Sequence, residues 1–202
     1  VVVMDQKDWK GPAGEAIKSE LASSVPGLPQ AEPSLKITYV QPKDFTGLLR
    51  YVRNILVVTI DPTAYTKVSV GYENNVWARG QVVVSLKAPN TESIVEYSKT
   101  HEKALVDFFV KVEMNRAIEQ LQKEYSMVVM DNLKSDLNVM LNAPANFTYY
   151  KDTTDFFWSS NNANTGRMDL IVYTFPYTDP NTFTEEYLVA KRDSVLKANL
   201  PG

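Results

Sequence analysis

The sequence predicts an α/β region followed by an α+β region. Residues 1–126 should form a mainly parallel sheet with flanking helices, and residues 127–202 a small antiparallel sheet with a closing helix. Three observations predict this. Solid apolar runs at 55–60 and 81–86 read as strands buried on both faces, the mark of a parallel sheet. Helical stretches alternate with them, in an order that wants crossover connections. Beyond residue 127 the order changes to three short strand-like runs and then one helix.

Taken in order, Val1-Val2-Val3-Met4-Asp5 reads as a strand already under way, which predicts that upstream residues, a targeting segment among them, precede it. Gly11-Pro12 opens a helix, with proline at the first helical position where its missing N–H costs nothing. Ala16, Ile17 and Leu21 give that helix an apolar stripe, and Val25-Pro26-Gly27-Leu28-Pro29 is a loop. Residues 35–40 alternate as a strand does, and Asp44 should cap a short helix running to about Val52. The run at 55–60 stops at Asp61-Pro62. Residues 66–79 fit neither the helical nor the strand period, and 81–86 form another buried strand. Pro89-Asn90 starts a long helix over about 91–125, with Ile94, Leu105, Phe108, Phe109 and Val112 at helical spacing.

In the second region a helix is expected over 127–141 and strands at 147–150, 156–159 and 170–175. The last helix, about 183–198, has Thr182 and Glu185 at capping-box spacing, and Asn199-Leu200-Pro201-Gly202 is a helix stop.

The 202 residues suffice for one large domain or two small ones, and 44% hydrophobic with 22% charged residues is too apolar for a disordered chain. Net charge is −3 with mixed signs and no basic stripe, which argues against nucleic acid as a partner. Without cysteine there is no disulfide, thiol nucleophile or thiolate metal site. His101 is the single histidine and sits among charged neighbours, as a solvated surface residue would. No catalytic set, metal site or cofactor site is assembled from these residues, and none is expected.

Two groupings still merit weighing. Asp5 and Asp61 each follow a predicted parallel strand, where open α/β sheets bind ligands. They could hold a metal or act as a base, with Lys43 or Arg53 nearby, or they could cap turns, as aspartate does routinely. The glycine-containing turn Gly11-Pro12-Ala13-Gly14 is a weak anion site at best, because Pro12 removes a donor. Asp179, Glu185 and Glu186 flank the last helix, where capping and the helix dipole account for them.

The second grouping is aromatic. Phe147, Tyr149, Tyr150, Phe156, Phe157 and Trp158 crowd into two short strands, and Tyr173, Phe175 and Tyr177 follow. Successive strand residues point to opposite faces, so Phe156-Phe157-Trp158 places large rings on both. One helix layer covers one face. The other is either a platform, with Tyr149, Phe157 and Trp158 as ligand-binding candidates, or is covered by other protein.

The segments Trp9-Lys10-Gly11-Pro12-Ala13-Gly14, Val25-Pro26-Gly27-Leu28-Pro29-Gln30-Ala31-Glu32-Pro33, Pro42-Lys43-Asp44-Phe45, Arg53-Asn54-Ile55, Glu113-Met114-Asn115-Arg116 and residues 177–202 resemble a family of lipoproteins of unknown function from Bacteroides and relatives, domain of unknown function 4837. That resemblance implies a cell-envelope address, periplasmic or outer-membrane, with membrane contact only through a lipid anchor on a cysteine absent here. It also implies a signal peptide and a chain that runs on past Gly202. It brings no activity with it. The expected role is a non-enzymatic binding or assembly module for a protein or glycan; the alternative is a carboxylate-based hydrolase or transferase. The second region also resembles the PsbP-type small α+β domain, through Asn142-Ala143-Pro144-Ala145, the aromatic strand pair and the closing helix. Asp152-Thr153-Thr154 and Asp193-Ser194-Val195 match the O-glycosylation motif of Bacteroides envelope proteins.

Overall fold

The structure is a computed structural model and describes residues 1–28 and 30–200. Pro29, Pro201 and Gly202, on which parts of the loop and helix-stop expectations fall, lie outside the described residues. Two compact units are present, Val1–Asn115 and Arg116–Gly202.

The first unit holds a five-stranded sheet in the order β2-β1-β3-β5-β4. Its strands are β1 (Val2–Val3), β2 (Tyr39–Val40), β3 (Asn54–Ile60), β4 (Ser69–Asn74) and β5 (Val82–Ala88). β2, β1, β3 and β5 run parallel, and β4 is antiparallel to β5. The buried runs at 55–60 and 81–86 are thus the two central strands. The period-less stretch 66–79 contains the edge strand β4, and its six residues are all exposed. Val68, Val70 and Tyr72 alternate across it on the helix-bearing face, but Val76 and the exposed residues beyond fit no such period.

Three helices pack on one face of this sheet: α2 (Pro12–Leu21), α3 (Thr91–Thr100) and α4 (Ala104–Lys123). Ala13, Ile17 and Leu21 of α2, Ile94 of α3, and Leu105 and Phe109 of α4 close a core with Val2, Leu56, Val58, Val84 and Leu86. The short α1 (Gln6–Trp9) leads into α2, and the join is tight. A Cβ on Gly14 would stand 2.1 Å from the Trp9 carbonyl oxygen, so only glycine fits there. The other face is covered without an α-helix, by Phe45, Leu49 and Val52 over Val3, Val40, Ile55 and Val83.

Several expected boundaries move. The strand predicted at 35–40 is only Tyr39–Val40. Asp44 caps no helix; it ends a 3-10 turn, Pro42–Asp44, and a second turn, Gly47–Tyr51, has no side-chain cap. The single helix predicted over 91–125 is two. Asn90 caps α3 as its position suggested, accepting from Ser93 N–H at 2.9 Å. α3 ends at His101, and Lys103 takes φ +64°, which breaks the helical path. α4 then begins under a distant cap, with Glu20 of α2 accepting from Leu105 N–H at 2.7 Å. A cap from 85 residues away leaves no local sequence signature.

The second unit contains α5 (Met127–Leu137), a three-stranded antiparallel sheet of β6 (Tyr149–Thr153), β7 (Phe156–Ser160) and β8 (Asp169–Tyr173), and α6 (Glu185–Asn199). Ser126 caps α5 and its hydroxyl donates to the Phe147 carbonyl at 2.6 Å, pinning the helix start to the approach to β6. Asn138 in the left-handed conformation ends α5 earlier than residue 141. Phe147, expected within a strand, lies in the turn before β6 and buries its ring with Val129, Leu133, Ala143 and Phe157. The expected capping box at Thr182 and Glu185 is replaced by a cap two residues later. Thr184 accepts from Tyr187 N–H, while Thr182 is buried in a preceding 3-10 turn, Pro180–Phe183.

Candidate functional site

Two places carry the residues singled out by sequence. The first is the carboxyl edge of the parallel sheet. From β1 the chain goes to β2 on one side, and then returns past β1 to β3 and β5 on the other. The topological switch point therefore lies between the ends of β1 and β3, where ligands of open α/β sheets sit. Asp5 follows β1 and Asp61 follows β3, and Val3 pairs with Val57, so the two acids stand on neighbouring strands at the same edge. Lys43, after β2, is on this edge as well. Arg53 is not: it precedes β3, about 26 Å from Asp61 along an extended strand. It is ion-paired with Glu113 at 3.1 Å.

Chemically this edge is quiet. Asp61 Oδ1 accepts from Thr63 Oγ1 at 2.6 Å, Thr63 N–H at 2.8 Å and Ala64 N–H at 3.3 Å. The Thr63 hydroxyl first, then these N–H groups, hold the carboxyl below its usual range. It is a turn cap with one oxygen occupied, a poor general base. Asp5 stands at the start of α1 without a side-chain capping bond. Burial, then the charges of Asp5 and Asp44, push the Tyr39 phenol up, so that group stays protonated. Tyr39 is also stacked on Trp9 at 4.6 Å, with Lys18 over the Trp9 ring. Among the described residues no three His, Asp or Glu side chains gather as metal ligands would.

The second place is the three-stranded sheet. One face carries Tyr150, Phe157, Ser159, Leu170 and Val172, and α5 covers it. Phe157 is 1% exposed and belongs to this core, which removes it from the expected platform. The opposite face carries Tyr149, Lys151, Phe156, Trp158, Asp169, Ile171 and Tyr173. α6 lies over part of it: Leu188, Val189 and Leu196 line a groove of about 410 Å³ with Ile171 and Tyr173. Phe156 is buried, Trp158 is half-buried, and Tyr149 is 56% exposed. Tyr149 pairs with Ser160 and Trp158 with Lys151, so the two rings are diagonal neighbours on one surface.

The indole is held in place. Trp158 Nε1–H donates to Asp169 Oδ1 at 3.0 Å, and the Arg167 fork holds both Asp169 oxygens at 3.1–3.2 Å. The Arg167 guanidinium lies 6.0 Å from the Trp158 ring centre. Burial works against the Asp169 charge, but Arg167, the Trp158 N–H and Ser160 together keep its carboxyl below the usual range. Beside it, Asn161 organises the β7–β8 loop, its side-chain oxygen accepting from Ala163 and Met168 N–H. Arg167, Asp169 and Asn161 were missed by sequence reasoning. Arg167 and Asp169 stand two apart at a strand start, a spacing that shares one face, but only the register of β8 against β7 places them beside Trp158.

The fold and this surface define a two-unit α/β plus α+β protein with an ordered aromatic patch on its second sheet. The chain belongs to the family described as Domain of unknown function (DUF8532), whose profile matches residues 1–122. A second profile, Domain of unknown function (DUF4837), matches residues 126–202. The segments resembling DUF4837 thus divide, with residues 177–202 under that profile and the earlier ones under DUF8532. No curated protein and no solved structure matches the chain.

Proposed function

We propose that the protein is a non-enzymatic binding module of the cell envelope whose second unit binds oligosaccharide through Tyr149 and Trp158. The supporting observation is the fixed indole: a half-buried ring, oriented by Asp169 and Arg167, beside an exposed tyrosine on the same sheet face. Sugar rings present flat C–H faces that stack on such rings, and their hydroxyls match the donors and acceptors of Arg167, Asp169 and the asparagine-rich loop. A pre-ordered aromatic surface loses little conformational entropy on binding. The envelope address and the lipid anchor rest on the sequence resemblance alone.

A second reading, carboxylate-based hydrolysis or group transfer, is favoured by the switch point between the ends of β1 and β3. The occupied Asp61 oxygen weighs against it.

Calorimetric titration with neutral hexose and N-acetylhexosamine oligomers separates the two readings. Saturable binding without hydrolysis is expected, weakened at least about tenfold, or about 1.4 kcal/mol, by Trp158→Ala and unchanged by Asp5→Asn. Turnover abolished by Asp5→Asn would establish the enzyme reading instead.

A further inference from the structure

The five-stranded sheet has two unequal edges. One is β2, of two residues; the other is β4, of six, all exposed. Natural sheets blunt long edges with lysine, proline, bulges or a covering segment. β4 reads Ser69-Val70-Gly71-Tyr72-Glu73-Asn74, without proline or lysine, and it pairs with β5 in unbroken register.

The ladder settles which backbone groups point outward. Asn75 N–H bonds to the Gln81 carbonyl, so the odd-numbered residues of β4 face β5. The even-numbered residues of β5 face β3, as Val82 N–H to the Arg53 carbonyl and Asp61 N–H to the Ala88 carbonyl show. Val70, Tyr72 and Asn74 therefore direct N–H and C=O away from the sheet. Among the described residues nothing bonds to those of Val70 and Tyr72. Their side chains are 42% and 60% exposed, on the face that bears the helices, and Tyr72 lies against Phe108 at 5.1 Å.

We propose that β4 pairs with β4 of a second copy of this chain, antiparallel about Gly71, joining two sheets into one. The register follows from the strand itself. Centring on Gly71 sets Val70 opposite the second copy's Tyr72, in hydrogen-bonded positions that consume the outward groups of both. An aromatic side chain facing a β-branched one is a favourable cross-strand pair, and the symmetry supplies it twice. Ser69 faces Glu73 and Lys67 faces Asn75, so no like charges oppose one another. Gly71 meets Gly71 at a non-hydrogen-bonded position, where the α-carbons stand about 4.5 Å apart.

That position gives the test. These 202 residues contain no cysteine, and a Cβ on Gly71 meets nothing within 4 Å, so Gly71→Cys is tolerated and gives this chain a single thiol. The pair distance lies within the range of about 4.4–6.8 Å that a disulfide accepts. With copper–phenanthroline as oxidant, the full chain carrying Gly71→Cys should link rapidly into a species of twice the chain mass. Ser69→Cys, which faces Glu73, should link far more slowly. In sedimentation equilibrium the unsubstituted chain should form a dimer as concentration rises. Val70→Lys, and Tyr72→Pro, which removes an outward N–H and the ring beside Phe108 but no bond to β5, should lose it with the circular dichroism of the fold retained. A chain monomeric throughout, a dimer surviving both substitutions, equal linking rates, or a β4 edge that captures extended peptide but not a second copy would each overturn the proposal.

Discussion

At the scale of single residues, one strand separates core from surface. Phe156, Phe157 and Trp158 are adjacent in β7, yet Phe157 sits under α5 with Val129 and Leu133, while Trp158 stands on the opposite face, tied to Asp169. Removing a fully buried phenylalanine loses its transfer free energy and leaves a cavity. Phe157→Ala should therefore destabilise the second unit by about 3–5 kcal/mol in urea denaturation. Tyr149→Ala, at an exposed ring, should change stability by less than about 0.5 kcal/mol while weakening oligosaccharide binding. The sequence alone made both rings platform candidates. Strand alternation says that neighbours part company, but which of the two faces the helix depends on α5, not on β7. Asp61 was similarly ambiguous: cap and base have the same residue type, and only the contacts of one oxygen with Thr63 and Ala64 reveal the capping role.

Among elements, the long helix that becomes two is the most instructive. Ile94, Leu105, Phe108, Phe109 and Val112 carry a helical period across the break, because α3 and α4 both face the same sheet. The break itself is made by Lys103 at φ +64° and by Glu20, which reaches over from α2 to cap α4. Burial raises the Glu20 carboxyl, although the Leu105 N–H opposes this. A carboxyl whose folded pKa lies above its unfolded one favours folding when protonated. Its contribution is complete below the unfolded pKa and is lost as pH rises through the folded one. Glu20→Gln keeps an acceptor for Leu105 and removes the charge. Its stability should fall less than that of the unsubstituted chain from mildly acidic to neutral pH, as thermal denaturation across that range will read. Glu20→Ala leaves the Leu105 N–H without its acceptor and should cost about 1–2 kcal/mol at mildly acidic pH, and less toward neutral pH. β3 and β5, with buried runs, were legible in sequence; β4, exposed along its length, was not, although Val68, Val70 and Tyr72 alternate across it.

For the molecule as a whole, the order of elements predicted the fold class: a mainly parallel sheet with helices, then an antiparallel sheet with a closing helix. Function was less legible, because the surface proposed here is assembled from β6, β7, β8 and the loop between the last two. No single motif spans those pieces. The most direct test is a residue-resolved nuclear magnetic resonance titration of the full chain with a series of neutral oligosaccharides. Saturable shifts should be confined to Tyr149, the Trp158 indole N–H, Arg167, Asp169 and residues 161–166, and should vanish in Trp158→Ala. Shifts centred instead on Asp5 and Tyr39, or no shifts with any oligosaccharide in the series, would contradict the account.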